Sequence, residues 1–168
     1  VMLLDLDYFY AQVEEIRDPS IRERPVLVCV YSGRTQESGV VSTANYIARR
    51  YGIHSGMPIV LARRKLKDVD AVFLPVNHDL YRAVSDRVMA ILRKNADAFE
   101  QVGIDEAYMD VTPRVGGSYE AAKELAMGIK NELRGGEGLT ASIGIGPNKL
   151  VAKMAADVQK PDGITAIR

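Results

Sequence analysis

Two short acidic segments contain the residues with the clearest potential for chemistry. An apolar run leads into Asp5 and Asp7, and three aromatic residues follow. Much later in the chain, Asp105 and Glu106 are adjacent at the apex of an expected hairpin. Carboxylates held together repel one another unless cations neutralise them, and Mg²⁺ prefers oxygen ligands. Two such ions about 3.5–4 Å apart can hold the attacking and leaving oxygens of a phosphoryl transfer. If the fold joins the two segments, the sequence therefore indicates nucleotidyl transfer.

The hydrophobic pattern predicts the elements that must position these carboxylates. We expect strands at 1–6, 26–30, 107–111, 139–146 and 164–167. We expect helices at 9–17, 43–52, directly after Pro58, 79–95, 118–134 and 148–158, with Thr43 as an N-cap and the pair Gly135-Gly136 ending the fifth. Strands at both ends of the chain with two long helices between them predict an α+β fold, a ferredoxin-like sheet that carries a small inserted subdomain.

Composition narrows the class of protein. The chain has 168 residues, 47% of them hydrophobic, so it can bury a substantial core. Lys and Arg number 22, as do Asp and Glu, and this balance is unusual for a protein that must grip nucleic acid. The only cysteine, Cys29, lies in an apolar run and is expected to be a core thiol. No signal peptide or membrane-spanning stretch is visible, which predicts a cytoplasmic protein, or a nuclear one if the source has a nucleus.

Five segments in chain order resemble motifs of the Y-family, lesion-bypass DNA polymerases of the polymerase IV branch. They are 5–14, 32–34, 43–49, 104–110 and 156–163. The resemblance implies a palm at 1–8 and 76–168 that carries the metal ions, and fingers at 9–75 that cover the incoming nucleotide. It also implies that thumb and little-finger domains would follow Arg168, where this sequence stops.

The resemblance assigns catalytic and metal-binding roles to the acidic segments. Asp5, Asp105 and Glu106 would bind two Mg²⁺ ions, for which Mn²⁺ can substitute, and the backbone carbonyl of Leu6 would be a fourth ligand. The residues alone leave alternatives open, because Asp5 could cap a helix and the other two carboxylates could be ordinary turn residues. We expect Asp7 to cap the junction between strand and helix at least as readily as to bind metal.

Another set of residues is implied to bind the incoming deoxynucleoside triphosphate. Tyr46 and Arg49 are three residues apart on an expected helix, so they share a face, and their donors suit phosphate oxygens. Lys160 would be a third contact through its place before a Pro-Asp-Gly turn. The alternatives are a solvated arginine beside a core tyrosine and a routine surface lysine. The rest of the implied set is Tyr8, Phe9, Tyr10 and Thr43, with backbone N–H groups of the first two acting as donors.

Two further roles concern the sugar and the base. Tyr10 resembles the family's steric gate, whose ring excludes a ribose 2′-hydroxyl; the alternative is that Tyr10 is simply a core aromatic. The modest side chains of Val30, Val40 and Ser42 are expected to roof the nascent base pair. The segment 144–149 has two glycines and a lysine, but it lacks the order of a phosphate-binding loop and is rejected as one.

We therefore expect the core of a translesion DNA polymerase that adds deoxynucleotides to a primer 3′-hydroxyl. The expected partners are primer-template DNA and a sliding clamp, the latter bound through a region after Arg168, and the expected state is a monomer. A palm-fold nucleotidyl cyclase is an alternative, although the Tyr10 gate and the inserted subdomain argue against it. A non-catalytic platform that binds DNA or a protein partner is another, and the complete set of carboxylates argues against that.

Overall fold

A computed structural model describes all of residues 1–168. The strands are β1 (Met2–Leu6), β2 (Val26–Tyr31), β3 (Gly39–Ala44), β4 (Val72–Pro75), β5 (Ala98–Gln101), β6 (Glu106–Asp110), β7 (Ala141–Ile145) and β8 (Ile164–Ala166). The helices are α1 (Phe9–Arg17), α2 (Tyr46–Arg49), α3 (Ile59–Lys65), α4 (His78–Lys94), α5 (Thr112–Val115), α6 (Tyr119–Glu137) and α7 (Lys149–Val158). No helix combines the length and the apolar character needed to cross a membrane.

The chain forms two compact units. The first comprises Val1–Asp7 and Asp79–Arg168, and it contains a five-stranded sheet in the order β5-β6-β1-β7-β8. β1 is central and antiparallel to both of its neighbours, while β8 is parallel to β7. Met2, Leu3 and Leu4 have no solvent exposure, as expected for an apolar strand covered on both faces.

Helix α7 packs directly on this sheet, against β1, β7 and β8. Leu3 forms a buried cluster with Ala152 and Ala156 of α7. The helix approaches β7 so closely that a Cβ on Gly144 would lie 1.9 Å from the Ala152 carbonyl oxygen. Because side chains alternate along a strand, Asp5 faces the same side of the sheet as Leu3. Packing of α7 therefore sets the surroundings of Asp5.

The second unit, Tyr8–His78, is built around a three-stranded sheet in the order β3-β2-β4. β3 runs antiparallel to β2, and β4 runs parallel to it. Leu27 and Cys29 of β2 are fully buried in a core completed by residues of β3, α2 and α3. The prediction that Cys29 is a core thiol is confirmed, and burial raises its pKa to about 11.

The predicted α+β class is confirmed, and the bounds of α1 agree with the prediction to the residue. The prediction that a helix starts at Thr43 was wrong, because Thr43 lies in β3. The N-cap of α2 is Asn45, whose side chain accepts a hydrogen bond from the Ala48 N–H. The pair Gly135-Gly136 does not end α6, which continues to Glu137 because Gly138 supplies the left-handed cap at φ 71°.

Candidate active site

The central strand of the first unit brings the two acidic segments together. Asp5 of β1 is the cross-strand partner of Glu106 at the start of β6. Asp105 directly precedes β6, and its carbonyl oxygen accepts a 2.9 Å hydrogen bond from the N–H of Leu6. Residues opposite each other on antiparallel strands lie close together. The three carboxylates are thus neighbours because of strand register, and Asp105 occupies the hairpin turn as the sequence predicted.

Burial and mutual repulsion disturb the ionisation of this cluster. Burial is the main reason that the pKa of Asp105 is raised, and the negative charges of Asp5 and Glu106 add to it. The pKa of Asp5 is also raised, again by burial first; a hydrogen bond from Lys160 opposes the rise, and the charge of Glu106 reinforces it. The cluster is therefore a place where negative charge is costly and where a cation is favoured.

Two lysine side chains face these carboxylates. Lys160 Nζ lies 2.6 Å from Asp5 Oδ2 and 2.9 Å from Asp157 Oδ1. Lys153 Nζ lies 2.8 Å from Glu106 Oε1. Burial alone would lower the pKa of Lys160, but its hydrogen bonds to the two aspartates raise it above the usual range. No three acidic, His or Cys side chains are arranged around one point in the way that a metal cage requires.

The donor set fits hard divalent cations. The site offers only oxygen ligands, which Mg²⁺ and Mn²⁺ prefer, and it concentrates negative charge on partly buried groups. The ammonium groups of Lys153 and Lys160 lie where positive charge is stabilised, at carboxylate oxygens that a metal ion would also bind. The metal roles predicted for Asp5, Leu6, Asp105 and Glu106 stay predictions, and the chemistry of the site is compatible with them.

Asp7 lies just before the N-terminus of α1, and the capping role expected of it stays a prediction. The residue directly before α1 is Tyr8, whose own side chain does not cap that helix. The buried Asp7 carboxylate accepts hydrogen bonds from Ser142 Oγ at 2.7 Å and from Thr140 Oγ1 at 2.8 Å. It also accepts from the backbone N–H of Asp162 at 2.9 Å. Asp7 therefore connects the end of β1 to the turn that follows Lys160.

In the second unit, the aromatic residues after Asp7 surround the start of α1. Tyr8 adopts a left-handed backbone conformation at φ 31°, and its hydroxyl donates to Glu15 Oε2 at 3.1 Å. Tyr10 is partly exposed, with its ring 5.7 Å from that of Phe9 and 6.5 Å from the imidazole of His78. The phosphate roles of Tyr8 and Phe9 and the gate role of Tyr10 stay predictions.

Tyr46 and Arg49 lie at the two ends of the short helix α2, and they are in contact as their spacing predicts. The Arg49 guanidinium lies 4.5 Å from the centre of the Tyr46 ring, and its Nε donates to the Ala44 carbonyl oxygen at 2.9 Å. The Tyr46 ring also makes an edge-on contact with Tyr8, at 5.5 Å between centroids. These contacts orient the Arg49 guanidinium, and the phosphate roles of Tyr46 and Arg49 stay predictions.

The residues expected to roof the base pair share one region of the small sheet. Val30 and Val40 are cross-strand partners, and they are 41% and 42% exposed. Ser42 follows two residues after Val40 on β3, at a point where an irregularity interrupts the pairing with β2, and it is partly buried. The roof role itself stays a prediction.

Sequence reasoning missed three residues that organise these sites. Asn45 caps α2, and its amide nitrogen donates to Glu15 Oε1 at 2.9 Å. Glu15 is buried, and its carboxylate also accepts a hydrogen bond from the Tyr8 hydroxyl. Lys153 forms the ion pair with Glu106. The cap had a local signal, since asparagine is a favoured N-cap, whereas the contacts of Glu15 and Lys153 depend on tertiary packing.

The chain belongs to the impB/mucB/samB family, whose profile matches residues 4–157. The first curated relatives carry a more specific name. DNA polymerase IV of Nitrosopumilus maritimus is 52% identical over 168 residues, and DNA polymerase IV 1 of Methanosarcina mazei is 51% identical over 172 residues. The alignments cover 99% of this chain but only 46% and 47% of those proteins, so the chain spans about half their length.

Solved structures that resemble this chain are also DNA polymerases of the Y-family. A Y-family DNA polymerase chimera of Dbh and Dpo4 matches with a TM-score of 0.96 at 47% identity, over 99% of this chain and 48% of that one. DinB from Sulfolobus solfataricus matches with a TM-score of 0.93 at 45% identity, with the same coverage of 99% and 48%. The resemblance to Y-family polymerases of the polymerase IV branch is thereby confirmed.

Proposed function

We propose that this chain is the catalytic core of a template-directed DNA polymerase that carries out translesion synthesis. The observation that carries the proposal is the register of β1 against β6, which makes Asp5 and Glu106 cross-strand partners with Asp105 beside them. The first unit would be the palm and the second the fingers, close to the ranges 1–8 with 76–168 and 9–75 expected from the sequence. The relatives named DNA polymerase IV support the proposal.

In the palm, Asp5, Asp105, Glu106 and the carbonyl of Leu6 would hold two divalent cations, Mg²⁺ or Mn²⁺. Bound there, such ions supply Lewis-acid stabilisation of charge on the oxygens that exchange phosphorus. The overall reaction joins the primer 3′-oxygen to the α-phosphorus of the triphosphate, releases pyrophosphate and frees the hydroxyl proton. The pKa values of Asp5 and Asp105 are raised by burial first and by neighbouring carboxylates second, and they support the cation assignment because a bound cation stabilises the ionised carboxylates against both effects.

Other side chains would bind and orient the nucleotide. Lys160 offers an ammonium for phosphate oxygens, and Arg49, held against Tyr46, offers a guanidinium fork. The backbone N–H groups of Tyr8 and Phe9 open α1, where an anion is favoured. Tyr10 would exclude a 2′-hydroxyl, and Val30, Val40 and Ser42 would lie over the base pair. Thr43 lies in β3 and does not cap a helix. Because it is close to α2, it is kept among the residues proposed to bind the nucleotide.

Primer-template DNA and deoxynucleoside triphosphates are the proposed substrates. One of the matching structures is titled an insertion ternary complex of Dbh DNA polymerase, and at a TM-score of 0.94 it supports this substrate class. A sliding clamp is proposed as a protein partner, contacted through a part of the polymerase other than the palm and fingers. Monomeric state and a cytoplasmic location stay predictions.

A thermal-shift measurement tests the proposal without DNA. The chain should gain stability in Mg²⁺ plus dCTP together, because a ligand that binds only the folded state raises the melting temperature. Asp105→Asn should lose that gain. Asp110→Asn is the matched control: Asp110 is an exposed carboxylate at the end of β6, the strand that Asp105 precedes, and its side chain accepts a hydrogen bond from the Thr112 N–H. An equal gain in wild type and Asp105→Asn would contradict the proposal.

A further inference from the structure

Asp7 is a buried carboxylate that the proposed reaction leaves without a role. Its side chain lies at the end of β1, two residues beyond Asp5, and only 2% of the residue is exposed. A buried charge is costly unless hydrogen bonds or a countercharge stabilise it. Both hydroxyl donors to Asp7 come from β7 and the residue just before it, and the third donor is the N–H of Asp162. This last bond reaches across 155 residues of sequence to the turn that carries Lys160.

The turn is held from a second side by helix α6. The Asp162 carboxylate pairs with Lys130 at 2.8 Å and with Arg134 at 2.6 Å. Lys130 is itself buried, at 6% exposure, and its ammonium also donates to the Asp162 carbonyl oxygen. Asp162 thus makes hydrogen bonds through its N–H and its carbonyl oxygen, and its carboxylate forms ion pairs with two side chains of α6. These contacts with Asp7 and with α6 limit the freedom of Asp162 to move.

Close packing within the turn limits its conformation further. Asp162 has a left-handed backbone at φ 60°, which is unfavourable for a residue with a side chain and is kept where surrounding contacts enforce it. A Cβ on Gly163 would lie 2.1 Å from the carbonyl oxygen of Gln159, so only glycine fits this position. These two features restrict the conformations open to the segment 159–163, from which Lys160 projects towards Asp5 at 2.6 Å.

We propose that Asp7 is a positioning residue for nucleotide binding: through the Asp162 N–H it fixes the turn that places the Lys160 ammonium beside Asp5. This inference rests on the proposed function, in which Lys160 contacts the triphosphate. Asp7 touches neither metal nor nucleotide in this scheme. Its effect on affinity for the nucleotide passes through Lys160, and Lys130 and Arg134 support the same turn from the side of α6.

A double-mutant cycle separates this role from a purely structural one. The affinity of the 168-residue chain for dCTP in Mg²⁺ is measured by equilibrium dialysis for wild type, Asp7→Ala, Lys160→Ala and the double variant. Lys160→Ala should weaken binding about tenfold, the loss expected for one charge-assisted hydrogen bond. Asp7→Ala should weaken binding by a similar or smaller factor. The double variant should bind no more weakly than Lys160→Ala, because Asp7 then has nothing to position.

Amide hydrogen exchange gives an independent readout. Asp7→Ala should speed exchange at the Asp162 N–H, which loses its acceptor, and Arg134→Gln should do so to a smaller extent. Arg87→Gln is the matched control, since it removes an ion pair to α6 at Glu137 and leaves Asp162 untouched. If Asp7→Ala does not fold, Asp7→Asn and Arg134→Gln carry the same cycle, because each weakens the anchoring while keeping much of the side-chain volume.

The outcomes distinguish failure of the inference from failure of the proposed function. If Lys160→Ala binds dCTP as wild type does, the triphosphate role of Lys160 is wrong and the inference is overturned with it. Suppose instead that Lys160→Ala weakens binding, and that Asp7→Ala weakens binding by the same factor in the Lys160→Ala background as in wild type. The two residues then act independently. The inference is then overturned while the proposed function stands.

Discussion

Lys160 Nζ lies 2.6 Å from Asp5 Oδ2, although 155 residues separate them in sequence. The contact joins the C-terminal turn of the first unit to its central strand, and it supplies positive charge to a carboxylate whose pKa burial raises. In the proposed reaction, Asp5 would bind a divalent cation and Lys160 would bind phosphate oxygens. Each side chain would then exchange the other for its new partner, and until then the ion pair keeps both in place.

Replacing Tyr10 tests the proposed sugar discrimination. Tyr10→Ala removes a ring and nothing charged, so deoxynucleotide insertion should continue while ribonucleotide insertion rises by orders of magnitude. The measurement is kcat/KM for dCTP and for CTP opposite a template guanine. Tyr10→Phe is the control, because it keeps the ring and should keep the discrimination. An unchanged sugar preference in Tyr10→Ala would make Tyr10 a packing residue.

Two glycine substitutions test the packing of α7 on the sheet. Gly144→Ala places a Cβ 1.9 Å from the Ala152 carbonyl oxygen and 2.3 Å from the Ala156 nitrogen, both backbone atoms that cannot turn away. It should lower the free energy of unfolding by about 3 kcal/mol or more, as overpacking does. Urea denaturation measures the change.

Gly128→Ala is the matched control within helix α6. Apart from its chain neighbours and the backbone of α6 itself, no atom lies within 4 Å of a Cβ built there, so alanine should raise the free energy of unfolding by about 1 kcal/mol through its better helix propensity. Equal stability of Gly144→Ala and wild type would mean that α7 does not approach β7 so closely.

Buried Glu15 predicts a pH dependence of stability. Burial raises its pKa above the ordinary 4.5, although hydrogen bonds from Asn45 and Tyr8 oppose the rise. The folded state therefore binds this proton more tightly than the unfolded state. The stabilisation that results is complete below pH 4.5 and is lost as the pH rises through the raised pKa.

Glu15→Gln cannot ionise, so its free energy of unfolding should rise relative to wild type as the pH increases from about 4.5 to about 8. Urea denaturation at a series of pH values measures the difference. Glu124→Gln is the control, because Glu124 is an exposed residue of α6. A difference between Glu15→Gln and wild type that stays constant with pH would show that Glu15 has the same pKa folded and unfolded.

The equal numbers of acidic and basic residues predict that the 168-residue chain binds DNA weakly. Lys and Arg number 22 and so do Asp and Glu, and several of the basic side chains are already in ion pairs, Lys149 with Glu100 among them. Affinity for DNA comes mainly from cation–phosphate contacts, so the Kd for primer-template should be about 10⁻⁵ M near physiological salt. Activity should fall as salt rises, with about one nucleotide added per encounter. Nanomolar binding in a gel-shift titration, or long processive products, would contradict this prediction.

Strongly patterned elements such as α1 and α6 were predictable from sequence, whereas the strands β3, β4 and β5 were not. Helix α1 begins at Phe9 and ends at Arg17 as expected, because an apolar face ends at the Asp18-Pro19 pair. β4 and β5 have only four residues each and few buried side chains, so they carry little periodic signal. Their strand character depends on pairing with β2 and β6.

The candidate site divides in the same way. Asp5, Asp105 and Glu106 could be found because their residue types and motifs indicate cation chemistry before any fold is known. The contacts of Asp7 with β7 and with the turn after Lys160 could not be found, since these donors are at least 133 residues away in sequence. Its position just before a helix indicated only a local cap.

Templated addition of one nucleotide by wild type and by Asp105→Asn tests the central claim most directly. The substitution keeps the shape of the side chain and removes one negative charge from a group whose pKa burial and its neighbours raise. The variant should fold, with metal-free stability at least equal to that of wild type because repulsion is relieved. With Mg²⁺, dCTP and a primer facing a template guanine, wild type should add one nucleotide and Asp105→Asn should add none. Addition by the folded variant at the wild-type rate would contradict the assignment of these carboxylates to nucleotidyl transfer.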